Sequence, residues 1–83
     1  MTLFNARVTV TLKNGVLDPQ GKAIEGSLSA LGFAGVEQVR QGKVFAVTLN
    51  ADSKKSAIQS LNSMCEKLLA NTVIEDYAVE IVA

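Results

Sequence analysis

The sequence holds no histidine and a single cysteine, Cys65. Acid–base catalysis near neutral pH needs a group that titrates there, usually histidine or a carboxylate shifted by a close neighbour. The eight carboxylates are isolated except for Glu75 and Asp76. Adjacent residues on a strand point to opposite faces, so those two make a poor acid–base pair. Cys65 lies on an apolar stripe beside Met64 and a turn from Leu61, Leu68 and Leu69. That setting fits a buried structural thiol; a nucleophile needs a base and an electropositive, open site. One thiol without histidine does not make a structural zinc site, and the lack of a Cys-x-x-Cys pair argues against a metal carrier. The sequence therefore offers no catalytic residue, no metal site and no cofactor site.

Anion binding fares little better. Gly15 and Gly21 bracket the start of a helix, where phosphates can bind, but Asp18 would occupy the same amides and repel them. No Gly-x-Gly occurs anywhere, so the dinucleotide and phosphate-loop patterns are absent. Lys43 beside Gly42 reads either as an anion contact or as a solvated turn lysine. Eight basic and eight acidic residues cancel, and only Lys54 and Lys55 are adjacent among the cations. Counterion release needs clustered basic residues, so nucleic acid and anionic membrane are poor partners. Phe4 and Phe45 fall on apolar strand faces, which places them in a core and not on a base-stacking platform.

The elements follow from periodicity. Phe4 to Lys13 alternates, with Phe4, Ala6, Val8, Val10 and Leu12 on one face. That is a half-buried strand. Asp18 then Pro19 starts a helix: Asp caps the free amides and Pro suits the first helical position. Ala23, Ile24, Leu28 and Leu31 fall at helical spacing, and Gly32 is placed to close the helix in a left-handed conformation. Gly21 and Gly26 each weaken it by roughly 1 kcal/mol relative to Ala, so it is expected to rely on packing against a sheet. Val36–Gln41 and Val44–Leu49 read as two strands joined by a turn at Gly42–Lys43. Asn50, Asp52 and Ser53 signal a second helix. Its stripe runs through Ala57, Ile58, Leu61, Met64, Cys65, Leu68 and Leu69 to an end at Asn71. Tyr77, Val79 and Ile81 then alternate with Ala78, Glu80 and Val82 in a last strand.

The order β-α-β-β-α-β predicts an α+β, ferredoxin-like two-layer sandwich, with a four-stranded antiparallel sheet and both helices on one face. The other face would carry Asn5, Arg7, Thr9, Thr11, Val44, Ala46, Thr48, Ala78, Glu80 and Val82. It reads equally as a solvated surface or as one suited to sheet packing against another chain. Length fits one domain over residues 1–83. A core this small contributes roughly 3–5 kcal/mol, and one cysteine cannot form an internal disulfide, so association is the remaining source of stability. No apolar run approaches the ~20 residues of a membrane span. The alternating first residues do not form a signal-peptide core, and a cytoplasmic location is expected.

Three clusters carry a resemblance together. They are Gly15-Val16-Leu17-Asp18-Pro19-Gln20-Gly21, Val39-Arg40-Gln41-Gly42-Lys43 and Leu68-Leu69-Ala70-Asn71-Thr72-Val73-Ile74-Glu75-Asp76-Tyr77. In this order and spacing the chain resembles the PurS family, the small subunit of phosphoribosylformylglycinamidine (FGAM) synthase. Thr72 departs from the proline often found there in the family, which touches only the rigidity of that turn. The resemblance implies a non-catalytic accessory subunit in de novo purine synthesis. It would bridge a glutaminase subunit and a large synthetase subunit and assist ammonia transfer, within a complex that uses ATP and glutamine. It also implies a homodimer or dimer of dimers. The segments least explained by packing then become candidate docking residues: Asp18, Pro19, Gln20 and Gly21; Arg40, Gly42 and Lys43; Asn71 and Glu75. Each also has a local structural reading as a cap, turn or helix end. A dimeric, small-molecule-sensing regulatory domain of the amino-acid-binding type shares the strand order and is the alternative.

Overall fold

A computed structural model describes residues 1–82. The elements run β1 (Thr2–Leu12), α1 (Pro19–Ala30), β2 (Gly42–Ala51), α2 (Lys54–Met64) continuing as a π-helical turn (Cys65–Leu69), and β3 (Glu75–Ile81). The sheet is antiparallel with order β2-β1-β3. β1 is central because its apolar alternation is the cleanest: Ala6, Val8 and Val10 are buried beneath α2. Leu61 and Cys65 of the helix complete the core, and Phe45, Val47, Leu49, Tyr77, Val79 and Ile81 flank it, partly buried.

The four-stranded sheet is not formed. The α+β, ferredoxin-like character remains, but the expected strand over Val36–Gln41 is absent and the sheet has three strands. Side chains have taken the backbone groups that a strand ladder would use. Glu25 accepts the Val39 N–H at 3.0 Å, and Asp18 accepts the Gln41 N–H at 2.7 Å. Side-chain acceptors satisfy buried or half-buried amides as well as a ladder does, and here they hold the segment along α1. The expected turn at Gly42–Lys43 is also absent; both residues open β2, opposite Thr11 and Val10.

Nor do both helices cover one sheet face. α2 does, but α1 has only Gly21 buried and makes no substantial packing with the sheet. Its ends are nonetheless as expected. Asp18 is the N-cap with Pro19 in the first turn. Gly32, at φ +98°, lies just beyond the C-cap Leu31; its N–H bonds the Ser29 carbonyl, and the Phe33 N–H bonds that of Leu28. This is the Schellman closure. α2 is capped by Ser53, whose Oγ accepts the Ser56 N–H at 3.1 Å.

The second helix departs from expectation in its last turn. The Ala70 N–H reaches the Cys65 carbonyl at 3.1 Å, five residues back. The wider π turn rotates the following residues out of α-helical phase. Leu68, expected on the buried stripe, is therefore 83% exposed, while Leu69 stays partly buried. The helix stops at Ala70, and Asn71 begins a turn in which its Oδ1 accepts the Val73 N–H. Among the described residues, no helix is long and apolar enough to cross a membrane.

Candidate functional site

The sheet ends in a cleft of about 390 Å³ lined by Val10, Leu12, Gln20, Gln41, Gly42, Lys43 and Glu75. Its position follows from the departure of α1. Lys43 stands opposite Val10, and Glu75 opposite Leu12, so both project on the helix-bearing face of the sheet. α2 covers the middle of that face, and α1 leaves its end open. Four of the nine candidate docking residues, from segments far apart in sequence, thus meet around one opening: Gln20, Gly42, Lys43 and Glu75.

The walls are fixed by charge-assisted bonds. Asp18, 6% exposed, donates nothing and accepts twice: Oδ1 takes the Gly21 N–H at 2.9 Å and Oδ2 the Gln41 N–H at 2.7 Å. These bonds hold its carboxyl below the usual carboxylate range, the Gly21 bond first and the Gln41 bond next. Burial opposes them, and the Arg40 charge and the Gln20 N–H add to them. Asp18 therefore joins the two cleft residues next to its partners, Gln20 and Gly42. Gly21 is required here, because a Cβ would collide with the Val39 carbonyl oxygen.

Arg40 is spent on structure. Its guanidinium donates to the carbonyls of Val16 at 2.9 Å and Lys13 at 3.0 Å, with a longer bond to Leu12. It pins the loop after β1 behind the cleft and does not line it. Pro19 lies exposed at the start of α1, outside the cleft. Asn71 contributes indirectly: its backbone N–H donates to Glu75 Oε1 at 2.7 Å. The other Glu75 oxygen lies 3.8 Å from the Lys43 ammonium. Glu75 is 14% exposed and Lys43 56%, so the carboxylate is held while the ammonium reaches toward solvent with donors to spare. Gln41, Val10 and Leu12 were not among the sequence candidates. Gln41 had a signal in its place between Arg40 and Gly42; the two apolar residues read only as core.

The cleft offers two carboxamides, one ammonium and one carboxylate over an apolar floor. That set binds polar groups by hydrogen bonding, and it contains no nucleophile. The opposite sheet face is paired within itself: Arg7 Nη1 lies 3.1 Å from Glu80 Oε1, and Thr48 Oγ1 donates to Asn5 Oδ1 at 2.9 Å.

Residues 5–83 match the family model for PurS, phosphoribosylformylglycinamidine (FGAM) synthase. The chain belongs to the PurS family. The PurS subunit of Synechocystis is 50% identical over 80 residues, which cover 96% of this chain and 80% of that one. The Bacillus subtilis PurS subunit is 42% identical across 95% of this chain and 93% of its own. Among solved structures, a chain of the Thermotoga maritima PurLQS structure superposes with a TM-score of 0.91 at 33% identity, covering 99% of this chain and 100% of that one. B. subtilis PurS superposes at 0.86, with 96% and 99% covered. PurS structures thus share the fold along nearly the whole length of the chain. The PurS family is that of an FGAM synthase subunit in purine biosynthesis.

Proposed function

We propose that this chain is the non-catalytic small subunit of a cytoplasmic FGAM synthase, bridging a glutaminase subunit and a large synthetase subunit so that ammonia passes between them. The observation that carries the reading is the PurS match over residues 5–83, together with the T. maritima likeness, a chain from a PurLQS structure. Ammonia released at one site and used at another is lost if the path opens to water, so the two active sites must be kept in register. A rigid domain with polar contact points is adequate for that task and needs no reactive side chain. ATP and glutamine serve the complex, and this chain binds neither.

The docking contacts are Gln20, Gly42, Lys43 and Glu75 at the cleft, set in place by Asp18, Gly21, Arg40 and Asn71, with Pro19 beside them. The chain acts as a homodimer or a dimer of dimers. In a reconstituted complex, omitting the chain should abolish most glutamine-dependent synthesis while ammonia-dependent synthesis survives better. Equal loss of both would count against a bridging role. Capture of the synthetase subunit should weaken for Gln20→Ala, Lys43→Ala and Glu75→Ala. If all three bind like the unaltered chain, the cleft is not the docking surface.

The Lys43–Glu75 pair favours one second reading, a sensor of free amino acids, since it presents opposite charges to a zwitterion at the open end of the sheet. Titration calorimetry of the isolated chain with glutamine separates the two, because only the sensor shows a micromolar site.

A further inference from the structure

We infer that the cleft receives the side-chain carboxamide of an asparagine or glutamine presented by the synthetase subunit, held between Lys43 and Glu75. The inference rests on the docking reading above and names the chemical group that docks.

Unused bonding capacity is the first observation. Lys43 Nζ lies 3.8 Å from Glu75 Oε2, too far for a hydrogen bond. The other oxygen, Oε1, accepts the Asn71 N–H at 2.7 Å, which fixes the carboxylate and leaves Oε2 turned to the ammonium. The chain thus presents, side by side, an ammonium with donors and an oriented carboxylate oxygen with lone pairs. The carboxamides of Gln20 and Gln41 stand around the same opening, over Val10 and Leu12.

Charge and geometry decide the class of occupant. An acidic group drawn to Lys43 meets Glu75 as a like charge, and a basic group drawn to Glu75 meets Lys43. Repulsion at such range offsets what the opposite charge contributes. A neutral group with a donor and an acceptor on one edge serves both. The backbone peptide does not qualify, because in the trans form its N–H and C=O point opposite ways. A primary carboxamide has both on one edge, its oxygen and nitrogen about 2.2 Å apart. Two near-parallel hydrogen bonds of about 2.9 Å then reach Nζ and Oε2 together. Its second N–H and second lone pair remain for Gln20 and Gln41. A hydroxyl has one donor only, and giving it to Glu75 leaves none for either glutamine.

The openness of the cleft decides the source. A pocket that holds a free ligand covers about 70–90% of its surface. Gln20, Gln41, Gly42 and Lys43 are all exposed, so this cleft gives no such cover. A side chain tethered to a docked subunit asks less, because the rest of the interface keeps it at high effective concentration.

The test measures the affinity of the full chain for the synthetase subunit by interferometry, at about 50 and about 500 mM NaCl. Lys43→Met removes the donor. Glu75→Gln keeps an oxygen for the Asn71 N–H and turns the other atom into a donor, so the acceptor is lost and the turn is kept. Each variant should bind at least tenfold more weakly, by the same factor at both salt concentrations, because the group received is neutral. A factor that shrinks several-fold at high salt shows a charged occupant. That result overturns the carboxamide and leaves the docking reading standing. Weakening by only one variant does the same, since the carboxamide needs both groups. No weakening by either overturns the docking reading and the inference together. As an independent measure, the chain is titrated with propionamide, N-methylpropionamide, propionate, propylammonium and ethanol, followed by the amide NMR shifts of Gly42 and Glu75. Propionamide should move both signals at concentrations at least fivefold lower than any other probe; an equal or stronger response to another probe, or none to propionamide, overturns the carboxamide.

Discussion

The carboxylate of Asp18 accepts the backbone N–H of Gln41 at 2.7 Å across 23 positions of sequence. With its other oxygen it caps α1 through Gly21. One side chain therefore fixes both the start of the helix and the start of β2, and it brings Gln20 to the cleft beside Gly42 and Lys43. The same bond takes the Gln41 amide out of strand pairing, as Glu25 does for the Val39 amide. A helix cap, part of a missing strand and a candidate docking surface meet at one carboxylate.

Acid titration reports on this carboxylate. Its folded value lies below the ordinary 3.8, so its contribution is complete above that value. It is lost as pH falls through the lower folded value, because the unfolded state then binds the proton first. The thermal midpoint of the unaltered chain should exceed that of Asp18→Asn at pH 6, and the gap should narrow only below about pH 4. Asp18→Ala should lower the midpoint further, since it removes both acceptors. A gap that does not change between pH 6 and pH 3 would show that ionisation plays no part.

Two glycines on α1 give a matched pair. In both, alanine raises helix propensity by about 1 kcal/mol. At Gly26 the new methyl meets open space, so Gly26→Ala should stabilise by about 0.5–1 kcal/mol. At Gly21 it meets the Val39 carbonyl and the Asp18 carboxylate, so Gly21→Ala should destabilise. Urea unfolding of the two variants checks the opposite signs.

Lys43 separates docking from folding. Its ion pair with Glu75 is long and the ammonium is exposed, so Lys43→Ala should change stability by less than about 1 kcal/mol. The same change should weaken capture of the synthetase subunit. Glu75→Ala differs, because the Asn71 N–H loses its acceptor and the turn before β3 loosens. Hydrogen exchange at Asn71 should rise in Glu75→Ala and stay unchanged in Lys43→Ala.

Cys65 is fully buried and its thiol is pushed up, by burial first and by the Glu66 charge second. The Tyr77 hydroxyl is raised as well, chiefly by its hydrogen bond to Glu66. Both groups keep their protons when folded, so stability is intact below their ordinary values of 9.0 and 10.0 and falls as pH climbs beyond them. Alkylation at pH 8 should be slow in the native state and fast in urea. Cys65→Ser should cost about 1–3 kcal/mol, from a hydroxyl without a partner, and more than Cys65→Ala. Rapid native alkylation would contradict the burial.

Periodicity and caps made much of the fold legible. β1, both helix starts, the Gly32 closure and the last strand all rest on interactions between near neighbours, and each stands where its residues put it. The candidate site was legible as three clusters but not as one place. Nothing local reveals that Gln20, Lys43 and Glu75 converge, since that depends on the β1 register between β2 and β3.

The sequence by itself determined the first and last strands, the core face of β1, the capping of both helices and the membership in the PurS family. Local sterics, alternation and short-range hydrogen bonds are written in consecutive residues, and family likeness is a property of the string. Only the tertiary structure decided that Val36–Gln41 stays out of the sheet, that α1 leaves it, and that the last helical turn widens to expose Leu68. Each of those outcomes is a competition between a local preference and a distant partner. For the backbone amides of Val39 and Gln41, the carboxylates of Glu25 and Asp18 outbid a neighbouring strand.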